Sequence, residues 1–169
     1  GVSVLSVAFS PKDDLLVSAS FDKTVKLWRP SDGALVRTLE PHSGPVTSVV
    51  FSPDGRWLVS GHYGGQICVW KPSDGSLLRS WSAHFPDTTA LATSPDGELL
   101  ASGGYGGAIK LWRLSDGTLV RAIQGHRGCV TSVQFSPDGR ILVSSSYDDT
   151  IRLWRVPGLY VMRNIPAKS

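Results

Sequence analysis

The sequence is short of cysteine, long hydrophobic runs and blocks of like charge, and each shortage removes a class of protein. Its two cysteines, Cys68 and Cys129, lie outside any Cys-x-x-Cys or Cys/His spacing. Neither a disulfide framework nor a zinc site is indicated, and both read as small structural hydrophobes. No apolar run approaches the roughly 18 residues that a helix needs to cross a bilayer. The first residues show neither the basic segment nor the hydrophobic core of a signal peptide. The expectation is a soluble, cytoplasmic chain without membrane contact. The net charge of +3 is mild and not clustered, so nucleic acid is not the expected partner. No metal or cofactor motif is present.

Turn formers are plentiful: 18 glycines and 11 prolines accompany 41% hydrophobic residues, a balance that suits an all-β repeat protein. Trp28, Trp70, Trp112 and Trp154 stand 42 residues apart, which sets a repeat period. The clearest copy is Gly125 to Trp154. In it, two alternating apolar runs (Val130, Val133, Phe135, then Ile141 to Val143) flank a Ser136-Pro137-Asp138-Gly139 turn. A third run, Thr150 to Trp154, follows the polar Asp148-Asp149 turn, so the unit reads as an antiparallel meander. A Ser-Asp-Gly or Asp-Gly turn after the Trp leads to a fourth strand, exemplified by Leu35 to Leu39. In the last copy Val156-Pro157-Gly158 replaces that turn, and Leu159 to Arg163 is the expected outer strand.

The Gly-His opening, the Ser-Pro-Asp-Gly turn and an Asp six residues before an Ile-x-Leu-Trp ending, at this period, closely resemble the WD-repeat family of β-propellers. Arg155 stands where that family usually has its second signature Asp. The resemblance implies an all-β propeller segment of four blades, one domain with repeats at about 1–41, 42–83, 84–125 and 126–166. It further implies that a histidine, a second-strand Ser, a turn Asp and the third-strand Trp form a hydrogen-bonded chain across each blade. The matching residues are His126, Ser144, Asp148 and Trp154 in the fourth copy. Ser18, Asp22 and Trp28 match in the first, His42, Ser60 and Trp70 in the second, and His84, Ser102 and Trp112 in the third. Gly64 and Gly106 take the acid's place in copies two and three, so one complete network is expected.

Ser144, His126 and Asp148 also have the composition of a nucleophile triad. The same Ser recurs in copies without the acid, and no nucleophile-elbow motif surrounds it, so a structural role and no catalysis is the expectation. Gly103 to Lys110, GGYGGAIK, has the look of a phosphate loop, but it aligns with a glycine-free segment of copy one and reads as a hairpin turn. Thr93, where other copies have Phe9, Phe51 and Phe135, should loosen the third inner strand.

An aromatic precedes each turn acid position: Phe21, Tyr63, Tyr105 and Tyr147. The resemblance puts this turn on the face around the central channel, with Thr47, Thr89 and Thr131 beside it. These seven residues are the candidate surface for a protein or peptide partner. Two readings stay open: a docking face, or rings that merely cover neighbouring blades. An enzymatic or ligand-binding channel pocket is the alternative function. A basic rim, Arg37, Arg79, Arg121 and Arg163 with Arg29, Lys71, Arg113 and Arg155, either binds anions or guards strand edges from aggregation. Finally, a ring of four must turn sharply. The chain is therefore expected to associate with a second copy, or to be a segment of a longer ring, and not to form a closed monomer.

Overall fold

A computed structural model describes residues 2–40 and 43–167. Sixteen strands make four antiparallel sheets. Sheet one is β1 (Val4–Phe9), β2 (Leu16–Ser20), β3 (Val25–Arg29) and β4 (Ala34–Leu39), paired in that order. Sheet two holds β5 (Val46–Phe51), β6 (Leu58–His62), β7 (Gln66–Trp70) and β8 (Leu77–Ser82). Sheet three holds β9 (Thr88–Thr93), β10 (Leu99–Gly104), β11 (Ala108–Arg113) and β12 (Leu119–Gln124). Sheet four holds β13 (Val130–Phe135), β14 (Ile141–Ser146), β15 (Thr150–Arg155) and β16 (Tyr160–Pro166). Each sheet is one blade, and the inner strands β1, β5, β9 and β13 lie side by side in that order. No helix occurs among the described residues.

Local chemistry fixes the hairpins. In blades two to four the Ser hydroxyl of Ser-Pro-Asp-Gly donates to the Asp carboxylate two residues on, at 2.6 Å (Ser52–Asp54), 2.5 Å (Ser94–Asp96) and 2.6 Å (Ser136–Asp138). Gly55, Gly97 and Gly139 then take φ of 72°, 75° and 71°, a left-handed geometry that favours glycine. The next turn also needs a left-handed residue, supplied by Lys23, Gly65, Gly107 and Asp149. That requirement accounts for Gly107 in the stretch Gly103 to Lys110, which forms a hairpin closed by Gly107 N–H donating to the Gly104 carbonyl at 3.1 Å.

Blades stack face on face. The forward face of blade one (Val17, Ala19, Val25, Leu27, Leu39) packs on the rear face of blade two (Val46, Val49, Phe51, Leu58, Trp70). Val59, Ile67 and Val69 meet Leu91, Leu100 and Trp112 of blade three. Ala101, Ile109 and Leu111 meet Val133, Phe135, Leu142 and Trp154 of blade four. Thr93 does not simply leave a gap: its hydroxyl donates to the Phe51 carbonyl of blade two at 2.9 Å, replacing ring packing by a bond between blades.

Polar bonds cross the same interfaces. The hydroxyl of Thr47 donates to the Thr88 carbonyl at 2.5 Å, and that of Thr89 to the Val130 carbonyl at 2.6 Å. Arg79 donates to the Leu114 carbonyl at 2.8 Å, and Arg37 approaches the Ser73 carbonyl at 3.5 Å. In the opposite direction Lys110 reaches the Ala83 carbonyl and Arg152 the Gly125 carbonyl.

Candidate functional site

The channel-side turns are pinned by one recurring bond. The backbone N–H of Phe21, Tyr63, Tyr105 and Tyr147 donates to the carbonyl of Ser3, Pro45, Asp87 and Cys129 respectively, at 2.9–3.1 Å. Each aromatic is thereby set beside the start of its own blade's inner strand. A cleft of about 590 Å3 results, and Tyr63, Tyr105, Tyr147, Thr47, Thr89 and Thr131 all line it together with Leu5, Asp87 and Cys129. Phe21 does not reach the cleft; its ring meets Tyr63 edge to face, centroids 6.1 Å apart. The three tyrosines are 42%, 56% and 78% exposed, which leaves part of each ring open to solvent.

The threonines differ from the tyrosines. Thr47 and Thr89 have their hydroxyls committed across the blade interfaces, and Thr131 instead bonds Ser145 Oγ at 2.8 Å. Asp87 is the one charged side chain lining the cleft, and its Oδ1 accepts from the Gly64 N–H at 3.0 Å. Burial pushes the half-buried Cys129 thiol up, and the Asp87 charge adds to that shift.

Beneath this face the blades are held by polar chains. In every blade the indole Nε1–H donates to the second-strand Ser: Trp28 to Ser18 at 2.8 Å, Trp70 to Ser60 at 2.9 Å, Trp112 to Ser102 at 2.8 Å and Trp154 to Ser144 at 2.9 Å. His84 Nε2 lies 2.7 Å from Ser102 Oγ, and His126 Nε2 lies 2.7 Å from Ser144 Oγ. His126 Nδ1 is 3.0 Å from Asp148 Oδ2. A carboxylate can only accept, so Nδ1 carries the proton, Nε2 accepts from the Ser hydroxyl, and Ser Oγ accepts from the indole. His42 lies outside the described residues. Asp22 takes no part in such a chain: its Oδ1 accepts from Thr24 Oγ1 at 2.6 Å and from Thr24 N–H at 3.0 Å.

The order Asp148, His126, Ser144 is that of a charge-relay triad, yet its surroundings withhold the nucleophile. Ser144 is 1% exposed and its oxygen already accepts the indole N–H, so no substrate carbonyl can approach it. Burial disfavours the charged form of His84 and of His126. Burial pushes His84 down to about 4, helped by the charge of Lys110. Burial also lowers His126, although Asp148 pulls the other way. Burial acts to raise Asp148, but bonds from Thr150, the Arg127 N–H and His126 outweigh it and hold the carboxyl well below the usual range.

The family model described as WD domain, G-beta repeat matches residues 1–29, 33–71, 75–113 and 117–155. The chain belongs to the WD-repeat family. No curated protein matches the chain. WD repeats are generally protein-interaction scaffolds and typically non-catalytic, which agrees with a triad geometry closed to substrate.

Two further parts of this WD-repeat segment differ from the sequence reading. The residues after the tryptophans are paired within their turns: Arg29 with Asp32 at 2.7 Å, Lys71 with Asp74 at 2.6 Å and Arg113 with Asp116 at 3.2 Å. Arg37 and Arg79 are also engaged across blades, so these rim residues make contacts that the sequence did not show. His62 was not singled out by sequence, yet it is fully buried on β6, with Nδ1 2.9 Å from the Tyr63 carbonyl and Nε2 3.8 Å from Cys68 Sγ. The signal for it was there: Ser20, Gly104 and Ser146 occupy its place in the other repeats.

Proposed function

We propose that this segment is a non-catalytic scaffold that captures an extended protein or peptide segment in the channel-side cleft. The observation that carries the reading is the convergence of three exposed tyrosines from three different blades on one cleft with a single carboxylate. Exposed aromatics in a concave site supply large contact area at small entropic cost. Asp87 selects a segment with a lysine or arginine near its apolar anchor.

The test is selection of binders from a displayed peptide library, followed by titration of the chosen peptides. Tyr63→Ala, Tyr105→Ala and Tyr147→Ala should each weaken binding about tenfold or more, with little change in melting temperature. Tyr160→Ala, an exposed ring on outer strand β16, is the control and should change nothing. Enriched peptides should carry a basic residue, and Asp87→Asn should erase that preference. Peptides that bind all four tyrosine variants equally would remove the cleft from consideration.

A further inference from the structure

Blades three and four carry the same donor set, one with an acid and one without. In blade four the Asp148 carboxylate accepts from His126 Nδ1 at 3.0 Å, the Arg127 N–H at 2.9 Å, and the Thr150 N–H and hydroxyl at 3.1 and 2.6 Å. The Arg152 guanidinium stands 3.8 Å from it. In blade three Gly106 holds the acid's place and brings no side chain. The donors around it are kept. His84 is only 6% exposed, its Nε2 lies on Ser102 Oγ, and its Nδ1 has no hydrogen-bond partner among the described residues. Phe85 holds the place of Arg127, and its N–H has no acceptor among the described residues either. Lys110 holds the place of Arg152 and lies close enough for its charge to act on the His84 ring. The Thr150 hydroxyl alone is lost, since Ala108 stands in its position.

The local backbone leaves room for an acceptor. Nδ1 of His84 is the atom nearest to the Cβ that Gly104 lacks, so this nitrogen faces the hairpin of Gly104 to Gly107. At Gly106 an added Cβ would meet nothing closer than the Phe85 carbonyl, at 3.6 Å. Gly106 is exposed and Phe85 is 91% exposed, so the place opens to solvent. A buried donor left without an acceptor is destabilising, and a charged acceptor makes the stronger bond with it. Blade two differs, because the Gly64 N–H is already bonded to Asp87 Oδ1 at 3.0 Å and His42 lies outside the described residues.

We propose that blade three binds a carboxylate group from outside the chain at the Gly106 turn, in the position that the Asp148 carboxylate fills in blade four. One oxygen accepts from His84 Nδ1 and the Phe85 N–H, and Lys110 supplies the opposite charge. This site does not rest on the tyrosine cleft, since none of its donors lines that cleft. A small free carboxylate and an acidic side chain of a bound protein offer the same chemistry.

The experiment is an NMR titration of the histidine ring signals of the 169-residue chain with sodium acetate, against sodium chloride at equal ionic strength. The His84 signal, assigned through His84→Gln, should shift and saturate with a dissociation constant on the order of 1–10 mM. The His126 signal should stay in place, because Asp148 already occupies its Nδ1. Lys110→Met should weaken the His84 response about threefold or more. Gly106→Asp should move the His84 signal towards its acetate-bound position without acetate, and abolish any further response. Acetyl-aspartate amide separates the two sources: tighter binding than acetate assigns the site to an acidic side chain of a partner, and equal or weaker binding to a free carboxylate. A His84 shift that chloride reproduces, that does not saturate, or that His126 shares would overturn the proposal. So would a folded Lys110→Met or Gly106→Asp variant that keeps the wild-type response to acetate.

Discussion

Val7 and Val49 occupy the same place in successive repeats, as do Phe9 and Phe51, yet in each pair one is exposed and the other buried. Trp28 repeats the contrast: it keeps its bond to Ser18 but is only half-buried, whereas Trp70 is fully buried. The hairpins, turns and indole bonds of a blade are thus made within the blade. Its hydrophobic stabilisation is made by its neighbour. In a repeat protein the interface between units is a separate energetic quantity from the unit itself, and here the two can be distinguished within one chain.

The largest predicted effect exploits that separation. Phe51→Ala should lower unfolding free energy by about 3–5 kcal/mol at any protein concentration, because the ring's cavity opens inside a packed interface. Phe9→Ala should cost less than about 1 kcal/mol, since its ring is exposed. Urea titrations read both.

The next prediction concerns pH. His84 is buried and its folded value lies near 4, below the ordinary 6.5, so the folded state holds a neutral ring. Between those values the unfolded chain binds a proton that the folded chain does not, and stability therefore falls as pH drops from 6.5 towards 4, by up to roughly 3 kcal/mol. Below that window the His84 contribution levels off. His84→Gln should flatten this part of the stability profile, and an unchanged slope would show that His84 is not kept neutral by burial.

Asp148→Ala comes third. It strips the acceptor from His126, Thr150 and the Arg127 N–H at once, and should cost about 1–3 kcal/mol. Because these bonds are made within blade four, the loss does not depend on a neighbouring blade, unlike that of Phe51. Thermal melts test this. The converse graft has a preferred place. Gly106 has ordinary φ and an added Cβ would meet only the Phe85 carbonyl at 3.6 Å, whereas Gly64 sits at φ 88°. Gly106→Asp should therefore raise the melting temperature by offering His84 a carboxylate, and Gly64→Asp should not.

The smallest effect is a gain. Thr88 is fully buried on the rear face of blade three, and its hydroxyl has no hydrogen-bond partner among the described residues. Val46 and Val130 hold the matching positions. Thr88→Val should stabilise by about 1 kcal/mol, while Val4→Thr at the uncovered end should be neutral in dilute chain, both read by denaturant midpoint.

The fold was legible because four copies of one structural problem stand in register, so that turn glycines and tryptophans mark the strand ends without any homologue. The outer strand of blade four began one residue later and ran three residues further than its apolar pattern indicated, ending at Pro166. Burial was not legible, since Val7 and Val49 are the same residue and only the neighbour differs. The contacts of the basic residues were not legible for a related reason: a charge at a strand edge looks alike in sequence whether it meets water or the next blade's carbonyl, as Arg79 does. At the cleft, the family resemblance implied that the aromatics share one face but could not separate Phe21, whose ring turns towards Tyr63 instead.

The most direct test of the central claim is thiol labelling of Val7→Cys and Val49→Cys in a Cys129→Ser background. Cys68 is buried, and burial pushes its thiol up to about 11, so it contributes a slow baseline. In dilute chain Val7→Cys should react at close to the rate of an unfolded thiol, and Val49→Cys should react only through unfolding. Equal labelling of the two sites, or protection of Val7→Cys, would contradict the claim that the neighbouring blade alone makes identical positions different.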